Sequence, residues 1–413
     1  MKNKIIYAIG WVLLLIVSGC SDWLSVSPRT EKPTEQLFET QNGFRDALTG
    51  AYIEMMSDKS YGEYLTMSKI EYLVDFWDPE KGSGEEALTL HRYSDAQAVT
   101  MIDALYEQQY KVILAVNAIL EYVDLRQAIF DPGAYEAVKG ECLALRAMCH
   151  LDILRLFGPV PAEATSVPIL PYVETVTKEL HRHVNFDGYK ARLIADLENA
   201  EGLLKQHLEK QSEIEEDYFK YRTIRMNYYA VKALKARVYL WADNKAEAYR
   251  EAKAVTAVQE QWFPWTERRE IMDNTRNSDR IFSSELLFAA YYNAREEIFT
   301  NYFSPTLEPA QVYSPKKHID DLFTWDLLDW RNRPIWLEGT TRDYRCFHKY
   351  EDVSSTEVWT KLIPLIRMTE MYYIIAETAT DETEALDALN TVLFNRGVKE
   401  LEDKTQLAGM LRD

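Results

Sequence analysis

The segment GAYEAVKGECLALRAMCHLDILRLFGPVP, residues 133–161, follows Pro132 and ends on Gly158 and Pro159. Glycine supplies a left-handed cap and proline cannot continue a helix, so this pattern predicts a helix that stops there. Cys142 and Cys149 fall two turns apart, about 10.5 Å along its axis, which is beyond disulfide reach. They read as core thiols, and Cys346 reads the same way.

The periodicity extends in both directions. Between residues 42 and 56, Phe44, Leu48, Ala51 and Met55 form one apolar stripe, and between 101 and 122 Ile102, Leu105, Tyr106, Ile113, Val116 and Leu120 form another. Residues 186–207 repeat the pattern with Tyr189, Leu193, Leu197, Ala200 and Leu204. Next come MNYYAVKALKARVYLWA (226–242) and KAEAYREAKAV (245–255), joined at Asp243 and Asn244. Ala230, Ala233, Ala236, Ala248 and Ala252 would let these two helices approach closely, in the manner of tetratricopeptide pairs. A last pair, PLIRMTEMYYIIAET (364–378) and ETEALDALNTVLFNRG (382–397), places Pro364 at an expected helix start. The fold class expected is mostly α, a tetratricopeptide-like helix-pair scaffold carrying long irregular loops. The longest insert, 259–360, holds six of the ten tryptophans; loops of that length are usually functional. Within it ELLFAAYY (285–292) could form a short strand.

The N-terminus reads differently. Lys2 and Lys4 precede an uncharged run from Ile5 to Val17, roughly 20 Å as a helix against the roughly 30 Å a membrane span requires. That is the anatomy of a secretory signal. Val17, Ser18 and Gly19 before Cys20 resemble a bacterial lipobox, in which Cys20 is lipidated and becomes the first mature residue. Residues 20–35, with Pro28 and Pro33, read as a linker. The net charge of −19, more negative once Lys2 and Lys4 are removed, repels phosphate backbones and excludes nucleic acid as a partner.

No HExxH, GxSxG, Walker or Rossmann glycine pattern occurs, and no cofactor is indicated. His181 and His183 lack further ligands for a metal. Carboxylates are plentiful, which leaves a glycosidase-like pair open. Sugar binding calls for flat apolar faces flanked by hydroxyl-bonding side chains on loops. Two stretches have that composition: DFWDPEK (75–81), with Trp77, and FTWDLLDWRNRPIW (323–336), with Trp325, Trp330 and Asn332. Arg146, Arg155 and Asn117 read as architectural, and Arg367 as a helix-face partner of Glu370.

Several segments in order resemble the SusD/RagB family of outer-membrane nutrient-uptake lipoproteins. They are CSDWLSVSPRTE after the lipobox, FRDALTGAY, LYEQQYKVILAVNAIL, LALRAMCHLDILRLFGPVP, IADLENAEGLL, MNYYAVKALKARVYLWA, DWRNR, HKY and PLIRMTEMYYIIAET. The resemblance implies a signal peptide (1–19), a lipidated linker (20–35), an N-terminal helical domain (36–258) and a loop-rich C-terminal region (259–413). It implies a surface-exposed, non-enzymatic lipoprotein that binds an oligosaccharide, starch being the type substrate, or a peptide, and passes it to a SusC-like TonB-dependent β-barrel. A surface glycoside hydrolase and a non-binding scaffold of the uptake complex are the alternatives. Members normally continue into a Glu- and Arg-rich helix where this sequence stops at LAGMLRD, which leaves truncation or a missing element as the two readings.

Overall fold

The computed structural model describes residues 34–205, 222–272, 277–307, 328–338, 345–355 and 357–402. Eight helices of ten residues or more occur among them: α1 (Gln41–Met55), α2 (Ala96–Val123), α3 (Ala134–Phe157), α4 (Phe186–Leu204), α5 (Tyr228–Trp241), α6 (Lys245–Thr256), α7 (Met368–Thr378) and α8 (Glu382–Phe394). Each packs on the next in chain order, from α1 through α8, so the scaffold is a stack of neighbours. Six short strands lie between helices: β1 (Leu170–Pro171), β2 (His183–Val184), β3 (Leu286–Tyr291), β4 (Trp336–Glu338), β5 (Arg345–Phe347) and β6 (Leu362–Arg367). They pair antiparallel as β1–β2, β3–β6 and β4–β5.

Helix starts follow local chemistry. Thr40, Asp95, Asn185, Asn227, Asn244 and Asp381 precede α1, α2, α4, α5, α6 and α8, and each side chain accepts an amide of the first turn. The α3 helix ends at Gly158 as the sequence predicts, but Gly158 is extended (φ −90°, ψ 171°) rather than a left-handed cap, so Pro159 and not a glycine turn accounts for the stop. At Gly140 the close approach of α4 leaves no room for a side chain: a Cβ there would lie 2.7 Å from Leu204 Cγ.

The α3 helix is buried on nearly every face, as a helix enclosed by neighbours must be. Its interior polar groups therefore need partners. Glu141 accepts from Tyr52 (2.9 Å) and Arg222 (2.7 Å). Arg146 forks onto Asp196 (2.7 and 2.6 Å) and donates to Asn117 (2.8 Å). His150 Nε2 accepts the Val173 N–H (3.1 Å), so its proton sits on Nδ1, facing the Tyr189 hydroxyl at 2.7 Å. Asp152 accepts from Tyr61 (2.6 Å) and pairs with Arg155. Asn117 Nδ2 donates to the Val173 carbonyl (2.9 Å), the backbone role expected of it.

Farther along, Lys232 and Lys235 of α5 each bridge Glu201 of α4 and Glu251 of α6 at 2.7–2.9 Å, a closed ring of four ion pairs. Cys142, Cys149 and Cys346 are buried free thiols.

Two expectations change. Pro364 does not start a helix: LIPLIR forms β6 against LLFAAY, with Pro364 opposite Ala289, and α7 begins at Met368. The isoleucines of LIPLIR and the aromatic residues of LLFAAY suit a buried ladder. Nor does Glu370 pair with Arg367. It is taken by Arg237 of α5, whose guanidinium forks onto both carboxylate oxygens at 2.6 Å.

Candidate functional site

Where the helical stack meets the insert, a polar recess of about 400 Å³ opens. The C-terminal half of α3 supplies Met148, Asp152 and Arg155, and the segment after α1 supplies Tyr61, Leu65 and Thr66. Helix α5 contributes Arg237; Pro364, Leu365 and Arg367 come from β6, and Glu370 from α7. Lys349 and Tyr350 reach it from the segment after β5. The antiparallel β3–β6 ladder sets these groups facing α3, because β6 runs directly into α7.

Four basic side chains, Arg155, Arg237, Lys349 and Arg367, face two acidic ones, Asp152 and Glu370. Both acids are already engaged, Asp152 by Tyr61 and Arg155, Glu370 by Arg237. Burial and the nearby Arg367 charge push the Lys349 ammonium well below the usual lysine range, and Arg295 adds to that repulsion against a partial offset from Glu71. Burial likewise lowers Arg367. Arg295, 2% exposed, lies beneath the Tyr350 ring at 5.8 Å and donates to the Leu362 carbonyl.

A broader cleft of about 920 Å³ is lined by Arg269, Asn277, Asp279, Ser283, Glu357 and Trp359, among others. Asp279 is committed to its own turn, accepting the Ser283 N–H and hydroxyl, both at 2.8 Å. Among the described residues no group of three or more His, Cys, Asp or Glu could hold a metal ion.

The aromatic positions singled out in the sequence do not gather into one platform. Trp77 is 1% exposed. Its Nε1–H donates to the Met67 carbonyl (2.9 Å), and its ring packs among Phe76, Phe303, Trp336 and Phe347 with centroids 4.8–6.1 Å apart. The face a sugar would use is filled by protein, which corrects the expectation of an exposed loop tryptophan. Asn332 is 3% exposed; its side-chain oxygen accepts from Arg345 and is turned inward. Trp330 is half-buried beside Gly397, and its N–H donates to the Arg396 carbonyl (2.8 Å). Trp325 and Cys20 lie outside the described residues. Asp329 holds Arg331 within its own loop through both carboxylate oxygens. Lys349, Tyr350 and Trp359 carried no individual signal in the sequence, and Arg367 read only as a helix-face partner of Glu370 rather than as a recess group.

A helix-pair scaffold with recesses where irregular segments cross it is a fold of the SusD type. The chain belongs to the SusD-like family described as starch-binding and associating with the outer membrane, whose model matches residues 22–240. It is 26% identical over 191 residues to SusD-like protein P2 of Formosa agariphila, a match covering 46% of this chain and 36% of that relative. SusD-like protein P25 of the same organism is 23% identical over 167 residues, covering 39% and 31%. The chain thus aligns with about a third of the length of these curated relatives. Among solved structures, a SusD superfamily protein of Bacteroides thetaiotaomicron superposes with a TM-score of 0.71 at 19% identity, covering 89% of this chain and 83% of that one. A laminarin-binding SusD-like protein gives 0.65 at 16%, covering 90% and 88%. At these identities the structural likeness establishes the helical fold.

Proposed function

We propose that this protein is a surface lipoprotein, anchored through Cys20, that binds an oligosaccharide nutrient and passes it to a SusC-like TonB-dependent β-barrel. The observation that carries this reading is family membership over residues 22–240, in a family described as starch-binding and outer-membrane associated. The laminarin-binding protein that shares the fold along 90% of this chain supports a glycan as cargo. A binding role without catalysis is supported by Asp152 and Glu370: the carboxylates facing the recess are held in ion pairs with arginines, whereas glycoside hydrolysis needs one carboxyl group protonated as acid and a second available as base or nucleophile. The half-buried Trp330 is the sequence-derived aromatic proposed as a ligand contact.

Affinity purification from membranes, with the co-purifying barrel identified by mass spectrometry, tests the partnership. A screen of the purified mature chain against neutral and acidic oligosaccharides tests the cargo. Recovery without any barrel, together with no saccharide bound, would sink this reading.

A further inference from the structure

We infer that the recess between α3, α5 and β6 receives an anionic group, and that the saccharide bound by this protein is acidic, carrying a uronate carboxylate or a sulfate ester. The inference deepens the glycan-binding reading above and rests on it.

Most buried cations elsewhere have counter-charges: Arg146 has Asp196, Arg222 has Glu141, Lys235 has Glu201 and Glu251, and Arg396 has Glu285, while Arg295 beneath Tyr350 is satisfied by the Trp359 and Leu362 carbonyls. Lys349 and Arg367 depart from that rule. Both are half-buried and face the recess, yet among the described residues neither makes a side-chain hydrogen bond or an ion pair. Asp152 and Glu370 cannot serve them, being committed to Arg155 and Arg237. Glu71 attracts Lys349, but more weakly than Arg367 repels it. Lys349 lies over the Tyr350 ring at 5.5 Å, but holding like charges in a half-buried recess without counter-charges is costly, and an anion entering the recess would offset that cost.

The geometry suits a planar or trigonal oxyanion. Arg367 offers a guanidinium fork and Lys349 a point charge, the two modes by which carboxylate and sulfate oxygens are held. Tyr61 and Tyr350, both 3% exposed, border the recess with Leu65 and Leu365. Its volume of about 400 Å³ lies at the small end of the roughly 300–1,000 Å³ range of ligand sites. In a chain of net charge −19, a positive hollow also concentrates the field on an incoming anion. A saccharide is favoured over a peptide because the family is described as starch-binding.

The test is calorimetric titration of the mature chain with trigalacturonate, a sulfated chondroitin disaccharide, maltotriose, laminaritriose and triglutamate, at low salt and in 0.5 M NaCl. At least one acidic saccharide should bind, with the neutral sugars about tenfold or more weaker, and salt should weaken it. Lys349→Met and Arg367→Gln should each lose about tenfold to a hundredfold, the size of one or two charge-assisted hydrogen bonds. Lys349→Arg should retain binding, and thermal melting checks that each variant folds. Protection of Lys349 from amine acylation by the acidic saccharide, read by mass spectrometry on the unaltered protein, serves if the variants fail to fold. The relative affinities of the uronate and the sulfate ester decide which oxyanion is preferred. Equal binding of neutral and acidic sugars with no effect of Lys349→Met overturns the inference while leaving glycan binding intact. Binding of triglutamate alone, lost in Lys349→Met, overturns the saccharide assignment, and an absence of all saccharide binding overturns both readings.

Discussion

Acidification should destabilise this protein through His150, in the C-terminal half of α3. Its Nε2 accepts the Val173 N–H, its ring stacks on Tyr172 with centroids 3.9 Å apart, and burial lowers its pKa to about 3. A second proton would have to sit on Nε2, against that N–H. The unfolded chain has a histidine pKa of about 6.5, so it takes up the proton first. The stabilisation is complete above pH ~6.5 and declines as pH falls toward about 3, by about 1.4 kcal/mol per pH unit. Between pH 7.5 and 5 the loss is about 2 kcal/mol, a large part of a typical margin of about 5–15 kcal/mol. Carboxylates lowered by their lysine partners, such as Glu201 and Glu251, lose stabilisation only below pH ~4.5. Glu63 and Asp279, raised by burial, act with the opposite sign, so the difference from a variant isolates the histidine. His150→Gln keeps one acceptor and one donor but does not titrate. Urea unfolding at several values between pH 7.5 and 5 should show a slope in the unaltered protein that is flattened by His150→Gln, whatever the static cost of the change. Parallel slopes would refute this account.

Three further outcomes are expected. Gly397 has φ +71°, and a Cβ there would lie 2.2 Å from Trp330 Nε1. Gly397→Ala should therefore cost at least about 2 kcal/mol, counting left-handed strain and displacement of the indole, read from a denaturation midpoint; an unchanged midpoint would contradict the packing. Glu251→Gln leaves Lys232 and Lys235 sharing Glu201 alone and should destabilise by about 2–3 kcal/mol, whereas a loss under about 0.5 kcal/mol would mean the ring contributes little beyond surface pairs. Trp77→Ala should cost about 3–5 kcal/mol yet leave glycan affinity unchanged in the folded fraction, and a selective loss of affinity would restore Trp77 as a ligand contact.

The stack was legible because its cues are local. Apolar spacing at three and four, the Asp243–Asn244 turn and the Gly158–Pro159 stop each act locally, and the observed boundaries follow them. Pro364 misled because a proline is acceptable both at a helix start and in a short two-stranded ladder, and only the distant partner LLFAAY decides between them. Trp77 misled for a similar reason: its surroundings in sequence are charged, but its surroundings in space are Phe303, Trp336 and Phe347 from beyond residue 300. The recess was illegible because its charges come from four separate stretches of the chain. The isolation of Lys349 and Arg367 is a property of their neighbours, which no spacing encodes.

The β3–β6 ladder has a consequence for how such a protein can change. It ties residue 291 to residue 362, while α6 packs directly on α7, so the intervening chain leaves and re-enters the scaffold at one fixed gate. Lengthening a loop whose ends are already held adds only about 0.6 kcal/mol per doubling. The parts of this stretch that do not pack on the scaffold can therefore lengthen at little cost, while Phe303, Trp336 and Phe347, which enclose Trp77, hold the rest in place.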